Sequence, residues 1–363
     1  MPAYLNSYVA PPLLAGLMDQ GMSAGAAMAF MIAGAVSSIP AMAAVWSLVR
    51  PQVFAVYLGL GFFSAPCFPA FCSNSSSRQV PSMQTQVTVT VAPHPDACRK
   101  LLVPTGIPTP HQMPVRFEIS GGAFCLTGEC ATGQMPALVT PERGQPITVR
   151  YRYRDGGPGY PDAAFTPRLN RFTRAAHALA EDAIRISGDS PDGHAAIQAL
   201  VNAAAEKFRY AHPDARFTDG CEEIPHLSCG LTEGSCVDIN TYLIASLRAA
   251  GFEAGYITGY FFPEEKNGGC DDMHCWVVTR HDGVVLEWDI AHHLKMGTRT
   301  IRCGLNPKPG DRVAVAHSMG LAFPELGLSG EKLMAEPLWV SENGLDKAAI
   351  TIRREISQEA AAA

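Results

Sequence analysis

Three residues spread over about fifty positions have the side-chain types of a nucleophilic site: Cys236, His274 and Asp289. A thiol attacks a carbonyl only as the thiolate, so it needs a neighbour that takes its proton. It also needs an environment that tolerates the charge. An imidazole meets the first need, and a carboxylate behind the imidazole holds it in one orientation. Cys236 stands in Gly234-Ser235-Cys236-Val237-Asp238, just ahead of a helical apolar pattern. His274 stands in Met273-His274-Cys275-Trp276-Val277-Val278, and Asp289 closes Val285-Leu286-Glu287-Trp288-Asp289; both runs read as strands.

The elements around these residues are legible as periodicities. Val237, Ile239, Tyr242, Leu243, Ile244 and Leu247 recur at helical spacing, and Gly251 stops the run, so a helix is expected over 235–249. Cys236 falls in its first turn, where the helix dipole favours an anion. A strand is expected over 253–261, then a loop rich in glycine and acid over 263–272. Asp282-Gly283 is a hairpin signal between strands at 274–279 and 284–289. His274 and Asp289 are close to equidistant from that turn. They therefore lie near the same open end of the hairpin, where the carboxylate is expected to accept the Nδ1 proton of the imidazole.

With their contexts, these segments carry a resemblance. Gly234-Ser235-Cys236, Leu247 to Ala254, Gly259-Tyr260, His274-Cys275-Trp276-Val277 and Trp288-Asp289 together resemble the transglutaminase-like superfamily over roughly residues 165–295. The resemblance implies a papain-like α+β fold, with a nucleophile helix packed on an antiparallel sheet. It implies Cys236 as nucleophile, His274 as general base and acid, and Asp289 as the residue orienting His274. Two departures stand out. Cys275 occupies the position of a common small residue, and Ile290 replaces the usual proline after Asp289.

Other candidate groups are weaker. His281, His292 and His293 are read as lying on turns or past the strand, and His317 falls in a segment with no clear placement. There are eleven cysteines. The spacings of Cys221, Cys229, Cys270 and Cys275, with His226 between the first two, suit zinc poorly, so no metal and no cofactor is expected. Disulfides Cys221–Cys229 or Cys125–Cys130 are open alternatives in an oxidising compartment. The acidic loop from Glu264-Glu265 to Asp271-Asp272 is read as a solvated lid in preference to a cation site.

The 363 residues carry a formal charge of −6 and no basic face, which argues against a nucleic-acid partner. The charge is unevenly spread, since residues 1–77 hold only Asp19 and Arg50. Apolar runs at 24–48 and 52–71 approach the length of a bilayer span, with a shorter run at 8–18. Segment 1–72 is therefore expected to be membrane-like and helical, with a lipid bilayer as partner and a membrane-associated, otherwise cytoplasmic, location. The stretch from Gly34 to Ala41, with Pro51 to Gly61 after it, is also similar to part of a multi-helix permease. A linker (73–83) leads to a small β-rich domain (84–160), where 86–91, 115–119 and 147–153 alternate with period two. The catalytic domain is expected over 161–340, with preceding helices at 172–186 and 194–210. A tail follows over 341–363, ending in a low-complexity helix from Asp346.

The chemistry expected of such a chain is cysteine-dependent cleavage or transfer at a peptide or other amide, through a thioester. Hydrolysis and transamidation share every step up to that intermediate. The rival expectations are a membrane-tethered binding protein whose domain has lost its chemistry, and a permease fragment.

Overall fold

The computed structural model describes residues 83–96, 98–342 and 344–358. The chain divides into two compact units, Met1–Val80 and Pro81–Ala363. The apolar segment 1–72, its candidate membrane helices and the permease-like stretch lie outside the described residues, as does all of the linker but its last residue. Among the described residues no helix is long and apolar enough to cross a membrane.

The second unit mixes helices with antiparallel sheets. Its first strands are β1 (Met83–Val91), β2 (Leu101–Val103), β3 (Gln112–Ser120), β4 (Gly122–Leu126), β5 (Ala137–Pro141) and β6 (Ile147–Asp155). Helices α1 (Asp162–Phe165), α2 (His177–Gly188) and α3 (Gly193–Lys207) follow, then short parallel strands β7 (Phe208–Tyr210) and β8 (Thr232–Gly234). Next come α4 (Cys236–Ala249), β9 (Glu253–Pro263), β10 (Gly269–Cys270), β11 (Met273–His281), β12 (Val284–Trp288) and α5 (Ile290–Lys295). The remainder is β13 (Gly310–His317), β14 (Leu321–Phe323), β15 (Leu328–Glu331), β16 (Leu338–Ser341), β17 (Gly344–Lys347) and β18 (Ile350–Gln358).

The site rests on the four-stranded sheet β12-β11-β9-β13. Helix α4 packs on this sheet beside α2 and α3, burying Ile239, Leu243, Ile244 and Leu247 with Tyr256, Cys275 and Val277. The sheet's other surface meets the β-rich part, where Tyr260, Phe262, Val313 and Val315 pack with Val87, Val89, Tyr151 and Tyr153. Strand β9 is therefore buried along almost its whole length, covered on both faces. The period-two runs of β1 and β6 appear as expected: Ile147, Val149, Tyr151 and Tyr153 point inward while Thr148, Arg150 and Arg152 are partly exposed.

The C-terminal reading is corrected. Residues 350–358, expected as part of a low-complexity helix, form β18, which lies between β1 and β10 in the sheet β10-β18-β1-β6-β3. Ile350, Thr351, Ile352 and Ile356 are β-branched, and Ile352 is buried among the valines of β1. That burial outweighs the helix propensity of the glutamates and alanines nearby. Smaller differences occur upstream: the first expected helix begins at His177, five residues late, and 208–210 is strand rather than the end of a helix.

Candidate active site

Cys236 opens α4. Ser235 precedes the helix in extended conformation, and Asp238 Oδ2 accepts from the Ser235 N–H (2.9 Å) and hydroxyl (2.7 Å). Arg216 Nη1 donates to both Asp238 oxygens at 3.0 and 2.9 Å, tying the preceding loop to the helix start. At the other end Gly251 adopts φ +85°, and the Gly251 and Phe252 N–H groups satisfy the Arg248 and Leu247 carbonyls.

His274 lies on β11 opposite Gly259 of β9, which in turn faces Ala314 of β13. A side chain at Gly259 would run into the Val313 carbonyl, so glycine lets β13 approach. Asp282 and Gly283 both have positive φ, the geometry of a tight hairpin turn, and the β11–β12 ladder ends at Val277↔Trp288. Asp289 leaves the ladder and caps α5, its Oδ1 accepting from the His292 N–H at 3.0 Å.

The structure brings all three expected residues together. His274 Nε2 lies 3.1 Å from Asp289 Oδ2, and the Cys236 thiol interacts with His274. The nitrogen differs from the expectation: Asp289 engages Nε2, not Nδ1. Asp289 sits at the start of α5, beyond the end of β12, and so meets the far edge of the ring.

Two residues that sequence reasoning passed over complete the arrangement. His292 stacks flat on His274, with ring centroids 4.1 Å apart and planes 5° from parallel, and its Nδ1 lies 2.9 Å from Asp289 Oδ2. Arg312, from β13, forms an ion pair with Asp289 Oδ2, and its Nε donates to Asn306 Oδ1 at 2.6 Å. Arg312 also lies over the Trp276 ring at 5.2 Å. His274, Asp289 and His292 present ligand atoms within 4.8 Å of one another. The guanidinium of Arg312 already supplies the positive charge at that carboxylate, which makes the trio a poor cation site. His281 and His293 stand apart from the thiol; His293 Nδ1 bonds the Asp289 carbonyl at 2.7 Å. His317 is buried against Ser318 Oγ at 2.9 Å.

Cys275 is the feature that most alters the electrostatics. Its sulfur accepts from Tyr256 Oη at 3.0 Å and Asn240 Nδ2 at 3.3 Å. Burial pushes the Cys275 thiol up, but hydrogen bonds from Cys236, Tyr256 and Asn240 more than offset it, and it titrates below its ordinary range. The Cys236 thiol is held well above its ordinary range by its hydrogen bond with Cys275, then by burial, with His274 pulling the other way. Burial pushes His274 down to about 3, and Arg312 and His292 add to the effect. The resting pair is therefore a neutral thiol beside a neutral imidazole, in place of the thiolate and imidazolium that a helix N-terminus alone would suggest. Among the described cysteines none is paired, Cys125, Cys130, Cys221 and Cys229 included.

Cys236 and His274 open on a cleft of about 510 Å³, bordered by Tyr210, Phe261, Met273 and Leu333. The acidic loop after β9 forms one wall, with Lys266 paired to Asp271.

The model of the transglutaminase-like superfamily matches residues 179–285. Among solved structures, the chain is similar to a protein described as a candidate cysteine protease from Cytophaga hutchinsonii. That pair shares 12% identity, with TM-score 0.47, over 77% of this chain and 92% of that one. It is also similar to the periplasmic domain of TgpA from Pseudomonas aeruginosa, with 14% identity and TM-score 0.31, over 61% and 92% of the two chains. No curated protein matches. Asp289 lies four residues past the matched segment, while Cys236 and His274 lie inside it; it is residues 179–285, with the nucleophile helix and the His274 strand, that match the transglutaminase-like superfamily.

Proposed function

We propose that this chain is a cysteine-dependent enzyme acting on amide bonds through a thioester. Cys236 is the nucleophile, His274 the proton carrier and Asp289 the group that fixes His274. The observation that carries the reading is the contact of the three in sequence: the thiol at the start of α4 interacts with the imidazole, and Asp289 Oδ2 lies 3.1 Å from Nε2. As the Cys236 sulfur attacks the carbonyl carbon, its proton passes to His274, which then gives it to the leaving amine. Backbone N–H groups at the start of α4 are suited to hold the oxyanion. Water then releases the acyl group, or an amine takes it; hydrolysis is the favoured outcome. Asp289 stabilises the imidazolium formed midway, and the ion pair with Arg312 holds the carboxylate in place.

The raised Cys236 thiol favours a second reading, a binding domain that keeps this layout without the chemistry. One experiment separates the two. Amide hydrolysis by the purified chain, abolished in both Cys236→Ala and His274→Ala, supports the enzyme; activity retained in Cys236→Ala removes it. We also propose that segment 1–72 tethers the protein to a bilayer. Recovery of the full chain in the soluble fraction without detergent would overturn that.

A further inference from the structure

The walls of the cleft carry more positive charge than their own carboxylates neutralise. Arg216 is committed to Asp238, Lys308 to Glu265 (2.6 Å), Lys266 to Asp271, and Lys347 to Glu336 (3.5 Å) and Asp272 (3.8 Å). Two cleft lysines, Lys295 and Lys332, have no carboxylate partner among the described residues. Lys295 lies over the Tyr210 ring at 5.3 Å, and Lys332 over the Phe172 ring at 5.8 Å. The Lys332 ammonium stands deep enough that burial pulls its pKa down, while Asp238 and Cys275 pull it up and Arg216 down. The carboxylate that acts on it most strongly, Asp238, is already paired with Arg216. One acid in the wall, Glu331, lacks a cation, and burial pushes it toward its neutral form. A half-buried ammonium without a counter-ion beside a nucleophile is a standing site for an anion, because a carboxylate arriving there recovers electrostatic energy that water no longer supplies.

Resting on the function proposed above, we infer that the Cys236 cleft selects acyl donors that carry a carboxylate close to the amide under attack, and that Lys332 and Lys295 are the residues that read it. The substrate class is thus an acidic peptide or a comparable carboxylate-bearing amide. Neither lysine takes part in proton transfer; each acts by placing the acyl donor.

Two alkylating reagents that differ only in charge test this without knowledge of the substrate. Iodoacetamide and iodoacetate are each reacted with the full-length protein in detergent at low salt, and modification of Cys236 is followed by peptide mass spectrometry. The iodoacetate-to-iodoacetamide rate ratio at Cys236 should exceed that of glutathione by about tenfold and fall toward it as salt is added. Lys332→Met and Lys295→Met should each lower the ratio, and Lys332→Arg should keep it. A ratio at or below the glutathione value, or one that both methionine variants leave unchanged, overturns the inference while leaving Cys236 as the nucleophile. Failure of both reagents to modify Cys236 removes the proposed function and this inference with it.

Discussion

Replacing Cys275 with alanine should make Cys236 more reactive. Negative charge in the two-thiol cluster is favoured on Cys275, which receives hydrogen bonds from Tyr256 (3.0 Å) and Asn240 (3.3 Å). A second thiolate about 4 Å away, at an effective dielectric constant of about 20, costs about 4 kcal/mol. That is about three powers of ten in the acid dissociation constant of Cys236. Cys275→Ala relieves this repulsion and leaves the burial of Cys236 in place. The thiolate fraction near neutral pH should then rise by up to about a thousandfold. A less basic thiolate is also a weaker nucleophile, by about twentyfold over that range, so the net gain is about fiftyfold. The cavity left by one sulfur costs about 1 kcal/mol, which a folded domain of this size tolerates. The assay is the rate of iodoacetamide modification at Cys236 from pH 5 to 10, with the modified peptide identified by mass. An unchanged or slower rate at pH 7 would refute the assignment of charge to Cys275.

Arg312→Met should destabilise the protein by about 3–5 kcal/mol, because it leaves the fully buried Asp289 without its cation. A urea midpoint equal to that of the unmodified protein would show that His274 and His292 alone satisfy the carboxylate. Acid should also weaken the fold. Burial holds His274 and His292 down to about 3 and His317 to about 4, against an ordinary value of 6.5. Below pH 6.5 the unfolded chain takes up protons that the folded chain refuses, so stability present above 6.5 is lost as pH falls toward those values. The loss is about 2 kcal/mol per histidine at pH 5. His274 is also tied to Cys236, whose hydrogen bond pulls its pKa up, and His292 stacks on it, so His317, away from the thiol, is the cleaner probe. In His317→Gln the drop in urea midpoint between pH 7 and pH 5 should be visibly smaller, and an identical drop contradicts the account.

Much of the site was legible because its parts are local. A helix start, a strand opening and a hairpin turn each have short-range signatures, and hairpin arithmetic about Asp282-Gly283 puts His274 and Asp289 at one end. Which imidazole nitrogen meets the carboxylate depends on where Asp289 leaves the ladder, and no residue pattern encodes that. His292 had a usable signal: Asp289 three residues earlier is a good helix cap, and capping places His292 one turn on, beside it. Arg312 carried a fainter one, a cation leading the apolar run Val313-Ala314-Val315-Ala316; its partner on another element is not readable. The C-terminal error has the same origin. Residues 350–358 offer both a helix composition and β-branched alternation, and the deciding factor is β1, at the opposite end of the described chain.

That strand also sets an order of events during synthesis. β18 pairs with β1 from Met83↔Gln358 to Val91↔Ile350, and through Cys270↔Ile352 it also anchors β10, next to Asp271 and Asp272 in the cleft wall. A ribosome translating this chain makes the thiol, the imidazole and the carboxylate well before the strand that braces the wall beside them. Until residue 358 has left the exit tunnel, β1 has only β6 beside it and the loop before His274 lacks the support of β18. The wall beside the nucleophile is therefore braced only after the catalytic residues themselves have been made, although those residues lie mid-chain.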